Sequence, residues 1–176
     1  MQTIISLIRL QSQEIEEKKI KSMFQTIQNR ISAMSSLHEL LYNQENPSYV
    51  NAYDYFEKLV DELKESFETQ DIKIKFDIDV NIKAEQAVYC GLIVNELITN
   101  AFKYAFVDGN GTINISLKKE NENYILSISD DGVGYEQQNN ANTLGLILVE
   151  TLATKQLKGK FQHNTQDGVK VVISWN

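Results

Sequence analysis

The only proline in the 176 residues, Pro47, divides the chain into two parts with different apolar rhythms. Before it, Met23, Ile27, Ile31, Met34, Leu37 and Leu41 recur every three or four residues, the spacing of a helix packed against other helices. Residues 2–14 carry the same rhythm in Ile4, Ile5, Leu7, Ile8 and Leu10, and the polar run Gln13 to Lys19 separates the two stretches. An antiparallel helical hairpin over 1–46 follows. So narrow a hairpin cannot hide both apolar faces alone; a second copy completing a four-helix bundle would cover them, as could the following domain. Beyond Pro47 the pattern changes. Asn51 can cap a helix carrying Tyr55, Leu59, Val60 and Leu63, and residues 72–80 alternate apolar and polar as a half-buried strand does. A long helix over about 84–106 comes next, then two alternating runs, 112–117 and 124–129, around the turn-like 120–123. A short helix from Leu144 and strands near 160–163 and 169–175 complete the order. The fold class is α+β: a two-helix hairpin, then an α/β sandwich over 47–176 with helices on one sheet face.

Charge and composition narrow the function. A net charge of -7 and a pI near 4.9 leave no basic stripe for a phosphate backbone, so neither nucleic acid nor a membrane surface is an expected partner. The single cysteine, Cys90, lies in the apolar run 87–94, where a buried inert thiol is expected. The longest apolar stretches fall short of the roughly 18 residues of a membrane span, and the N-terminus lacks a signal-peptide pattern. A cytoplasmic protein is expected.

Three segments carry candidate chemistry. In 95–104, Glu96, Asn100, Lys103 and Tyr104 stand at offsets of 0, 4, 7 and 8 along one helix face, with Leu97, Ile98 and Ala101 left to pack. A carboxylate, an amide and an ammonium along one flank suit a polar ligand, although a solvated helix face shows such rows as well. In 129–134 the sequence Ser-Asp-Asp-Gly-Val-Gly follows a strand end. Asp130 there can accept from an exocyclic amine, and Gly132 and Gly134 let backbone approach a flat ligand; a plain Asp-Gly turn is the other reading. Leu144-Gly145 opens a helix after the polar segment 135–143, so its N–H groups could meet phosphate oxygens below a lid, or the helix could touch nothing.

The joint order of these segments resembles a known family. Residues 95–104 resemble the N box, 130–134 the first glycine box and 144–146 the second, of the GHKL ATPases, which include histidine kinases, gyrase and the Hsp90 chaperones. The likeness spans roughly Tyr49 to Trp175. The wording of 95–106, the short lid and the stretch 31–42 are similar to the HisKA_2 and HWE histidine kinases.

That resemblance implies a Bergerat-type site for ATP and Mg²⁺. Asn100 would bind the metal through its amide oxygen, the ligand type this hard cation prefers. Glu96 would stand where gyrase-like ATPases keep a carboxylate that activates water or a proton acceptor. Lys103 would face phosphate, Tyr104 would stack near base or ribose, and Asp130 would accept from the adenine amine. Gly132 and Gly134 would shape the wall, and Leu144 and Gly145 would start the lid-side helix. A homodimer through the hairpin and a response-regulator receiver domain are the implied partners. Two departures stand out. Gly168-Val169 replaces the family's glycine-threonine beside the adenine aspartate, so one hydrogen bond is missing or replaced. The family's phosphoacceptor histidine lies upstream of the segment resembling residues 1–8, so the acceptor is expected to be absent from these residues. His38, in His-Glu-Leu, is expected to pack rather than accept phosphate, and His163 has no motif support. Three functions follow: a sensor-kinase ATP-binding part, a dimeric adaptor that docks a response regulator without catalysis, or an ATPase using Glu96 on water, which the hairpin argues against.

Overall fold

The computed structural model describes residues 18–42, 48–67, 71–134 and 144–176. The first expected hairpin helix, the boundary around Pro47 and the expected lid lie outside the described residues. The second hairpin helix is present as α1 (Lys18–Tyr42), so its first residues extend into the polar run read as a turn. β1 (Tyr49–Asn51) leads directly into α2 (Ala52–Phe67). Asn51 caps α2: its side-chain oxygen accepts the N–H groups of Tyr53 at 2.9 Å and Asp54 at 3.2 Å. The helix buries Tyr55, Phe56, Leu59, Val60 and Leu63 on one face.

β2 (Ile72–Ile78) stops two residues before the alternation does, and β3 (Asn81–Lys83), which the sequence pattern does not announce, pairs antiparallel with β1. α3 (Ala84–Asn100) follows and continues as one π-helical turn, Ala101–Ala105. The expected hairpin is β4 (Gly111–Glu120) and β5 (Asn123–Asp130), longer than its apolar alternation and closed by Asn121 and Glu122, with Asn121 at φ 55°. α4 (Leu144–Thr151), extended by a π-helical turn over Leu152–Gln156, then β6 (Lys160–Asn164) and β7 (Lys170–Trp175) complete the chain.

The main sheet runs β2-β4-β5-β7-β6, with β2 and β4 parallel and every other pair antiparallel. The parallel pair requires a crossover, and β3 with α3 supplies it. Register aligns Ile115 with Ile128 and Leu117 with Leu126, and these join Ile113, Val171 and Ile173 in a buried face under the helices. The opposite face carries half-exposed Ser116, Ser127 and Val172. Cys90 is buried in the core, and burial pushes its thiol pKa up, so it is unreactive as expected.

α1 packs against α2 and α3 rather than standing apart. Gly91 of α3 makes room for Tyr55, since a Cβ there would lie 2.0 Å from the phenol oxygen. That hydroxyl donates to the Ala33 carbonyl of α1 at 3.1 Å, joining all three helices.

Candidate functional site

Strand alternation sends Tyr124, Leu126 and Ile128 of β5 into the core, and the same parity places Asp130 on that face at the strand end. There the core opens. A cavity of about 370 Å³ lies between the C-terminal part of α3, its π-helical turn, the sheet and α4. Asp130 lines it with Asn100, Tyr104, Gly134, Val169 and Val171. Leu97 and Ala101, assigned to packing by the helical pattern, line it as well, as do Ile113 and Ile128.

Asp130 is fixed by backbone. Its Oδ1 accepts the N–H groups of Gly132 at 3.1 Å and Val169 at 3.2 Å, leaving Oδ2 without a partner among the described residues. Burial raises its pKa and the neighbouring Asp131 charge adds to that, while the two backbone donors act in the other direction. Gly168, at φ 96°, allows this approach; a Cβ there would lie 2.1 Å from the Asp130 carbonyl oxygen. Val169 thus reaches Asp130 through its main-chain N–H. Asp131 acts on the sheet instead, where its Oδ1 accepts the Thr112 N–H at 2.6 Å and holds the end of the β4–β5 pair.

The glycine loop is seated on the π-helical turn. Val133 N–H donates to the Ala105 carbonyl at 3.0 Å, and Gly132 lies so close that a Cβ would stand 2.4 Å from that oxygen. A π-turn displaces carbonyls from the regular ladder, and here Ala105 gives its carbonyl to the loop. Asn100 stands at the α-to-π junction, and Tyr104, 67 % exposed, forms the cavity rim.

The four polar residues of the expected helix stripe divide into two pairs. Asn100 and Tyr104 line the cavity, whereas Glu96 and Lys103 engage α1. Glu96, only 3 % exposed, receives a two-pronged bond from Arg30 of α1: Nε to Oε1 at 2.6 Å and a terminal nitrogen to Oε2 at 2.9 Å. The bond raises the Arg30 pKa further. Lys103 Nζ lies 3.4 Å from Thr26 Oγ1 of α1 and 5.7 Å from the centre of the Phe67 ring, and burial lowers its pKa. Gly145, in the first turn of α4, abuts this cluster; a Cβ on it would lie 3.0 Å from Glu96 Oε2 and 3.6 Å from Asn100 Nδ2. Leu144 begins the helix.

Sequence reasoning missed Arg30. A signal was available: it is the only charged residue between Lys21 and Glu39, inside a helix otherwise read as apolar packing. His38, expected to pack, is instead exposed on α1. His163 is half-buried and stacks on Phe161 at 5.6 Å.

Among the described residues no group of three or more His, Cys, Asp or Glu side chains could hold a metal ion. Asn100 is the cavity-lining amide whose oxygen suits Mg²⁺, which retains waters and takes few protein ligands beside substrate phosphates. The residues fit a metal that arrives with a polyphosphate. No described helix is long and apolar enough to cross a membrane.

Comparison with known proteins places these features. Residues 1–67 match a histidine kinase family model of the HisKA_2 type, and residues 86–176 match the model of histidine kinase-, DNA gyrase B- and HSP90-like ATPases. No curated protein matches the chain in sequence. Among solved structures, the histidine kinase domain of a blue-light activated kinase from Erythrobacter litoralis aligns with a TM-score of 0.76 at 23 % identity, covering 98 % of this chain and 83 % of that one. A longer structure of that kinase aligns at 0.74 and 23 % identity, over 89 % of this chain and 56 % of its own. The histidine kinase AdeS of Acinetobacter baumannii aligns at 0.59 and 21 % identity, over 99 % and 93 %. These likenesses concern the fold, while the match over 86–176 covers more than half of the sequence. The chain belongs to the family of histidine kinase-, DNA gyrase B- and HSP90-like ATPases.

Proposed function

We propose that this chain is the ATP-binding kinase portion of a two-component sensor histidine kinase. It delivers the γ-phosphoryl group of Mg-ATP to a histidine, from which the group passes to an aspartate on a response-regulator receiver domain. The observation that carries the reading is Asp130, a carboxylate with one oxygen locked by two backbone N–H groups and the other without a described partner, on the wall of a mainly apolar cavity. Such a wall suits a flat base that donates one exocyclic amine.

Ile113, Ile128, Val169 and Val171 supply the apolar surface against the base, and Gly134, at φ 63°, leaves the wall thin. Tyr104 stacks at the rim. Asn100 would hold Mg²⁺ through its amide oxygen, and Gly145, where a Cβ would lie 3.6 Å from Asn100 Nδ2, would permit close approach by phosphate. When bound, the ion offsets phosphate charge. Glu96 is the proton acceptor and Lys103 the phosphate-facing cation of the reading.

Residues 1–46 serve dimerisation and 47–176 nucleotide binding. Ile27 and Met34, two turns apart on α1 and 44 % and 41 % exposed, support a homodimer through that helix. Calorimetric titration with Mg-ATP tests the site. Asn100→Ala should weaken binding more than about tenfold while the protein still melts cooperatively. Unchanged affinity would refute the role of Asn100 and the orientation of the nucleotide built on it.

A further inference from the structure

We propose that Arg30 is a positioning residue that withholds Glu96 from the nucleotide, so that separation of α1 from α3 frees the carboxylate for proton transfer. The inference rests on the Mg-ATP reading above and adds a control to it.

Three observations carry it. The pair is two-pronged and closed on one side: Glu96 is almost fully buried while the Arg30 side chain is 26 % exposed, both Glu96 oxygens are occupied by Arg30, and Asn95 Nδ2 approaches Oε1 at 3.4 Å. A carboxylate so engaged is a poor proton acceptor, because each proton it took would cost a charge-assisted bond. The cluster also adjoins the cavity. Glu96 precedes the cavity-lining Asn100 by one helical turn and its Oε2 lies 3.0 Å from where a Cβ on Gly145 would stand, so a carboxylate released from Arg30 has the cavity-side end of α4 within reach. Finally, the contact between α1 and the rest buries polar side chains at a cost. The buried residues of α1 include Gln28, Asn29, Ser35 and Ser36, with Ala33 and Leu37 as the apolar exceptions. Asn29 Nδ2 and, across from α1 on α3, Thr99 Oγ1 are buried without hydrogen bonds. These unpaired polar groups weaken a seam whose apolar contacts are Ala33 and Leu37, with Leu40 and Leu41 partly buried beside them.

Lys103 is turned to the same helix by Thr26, so one movement of α1 releases both groups assigned to the γ-phosphate. With water as the acceptor, its oxygen bonds to Pγ while the bond from Pγ to the bridging oxygen breaks. ADP leaves with that electron pair, and the water proton passes to Glu96.

The test compares the whole chain with Arg30→Ala, Arg30→Lys and Arg30→Ala/Glu96→Gln in steady-state Mg-ATP hydrolysis and calorimetric Mg-ATP binding. Arg30→Ala should raise kcat about tenfold with KM within about twofold, the double variant should lose the gain, and Arg30→Lys, with a point charge in place of the fork, should fall between. Should Arg30→Ala fail to melt cooperatively, Arg30→Lys carries the comparison. A readout without nucleotide is the ¹⁵N spectrum: the sequence has only two arginines, Arg9 and Arg30, so a slowly exchanging Nε–H that disappears in Glu96→Gln reports the pair directly. Normal Mg-ATP binding with no rise in kcat, a rise that survives Glu96→Gln, or two fast-exchanging Nε–H signals would overturn the clamp and leave the site intact. No Mg-ATP binding by the unaltered chain at millimolar concentration would overturn the site and the clamp with it.

Discussion

Asp130 carries a cost in stability at the cavity wall. Burial raises its pKa, and the folded chain therefore favours the protonated form more than the unfolded chain does. With the folded value above the unfolded one, its contribution is fully present below the ordinary carboxylate range and is lost as pH rises through the folded value. Asp130→Asn keeps an acceptor for Gly132 and Val169 and removes the titration. The variant should melt about 1–2 °C higher than the unaltered chain near pH 7.5, with the gain vanishing near pH 3, because the group is only partly buried and solvent screens the effect. Calorimetric melts at the two pH values check this, and a gain equal at both would show that the carboxyl charge is not the cause. The place of Asp130 at a strand end beside a glycine loop was legible from the sequence. The donor at Val169 was not, because it comes from backbone and leaves no mark in side-chain pattern. Arg30 escaped for a related reason: its partner lies 66 positions away, and no local periodicity links the two.

At the level of elements, the alternating runs and the long helix were legible because each buries one face, and burial imposes a period on sequence. What stayed hidden has no such period. β1 and β3 are three residues each and bury only Val50 and Ile82, too short for alternation to register. The π-helical turn at Ala101–Ala105 has no propensity signature, yet it joins the glycine loop to α3 through the Ala105 carbonyl. Capping is the contrary case, since it depends on one side chain beside one helix start. Asn51 supplies both hydrogen bonds at the start of α2, so Asn51→Ala should cost about 1 kcal/mol, lowering the melting temperature by about 2–4 °C. Thermal melts by circular dichroism decide it; a shift under about half a degree would mean that water or the β1–β3 pair satisfies the two N–H groups equally well.

Across the whole molecule, two kinds of contact meet. The sheet and its helices share an apolar core to which α1 adds Ala33 and Leu37, with Leu40 and Leu41 packed against it, and side-chain hydrogen bonds complete the adhesion of α1. Glu62 of α2 is central to that adhesion, accepting the hydroxyls of Ser32 at 3.0 Å and Ser36 at 2.6 Å. On α1's other flank Arg30 and Thr26 reach α3 and the π-helical turn. Of the described α1 side chains only Ala33 and Leu37 are fully buried apolar ones, fewer than the sheet supplies, so α1 should exchange its amide hydrogens at a lower free energy than the sheet does. Glu62→Ala removes both acceptors and leaves the Ser36 hydroxyl, only 3 % exposed as a residue, without its partner. A net loss of about 1–2 kcal/mol follows for that side of the seam, equivalent to roughly tenfold faster exchange. Hydrogen exchange read by mass spectrometry should place the acceleration in residues 24–42 and leave the strands of β5 and β7 unchanged. If the strands accelerate equally, α1 unfolds together with the core, and the separation of α1 from α3 on which release of Glu96 depends is not a local event.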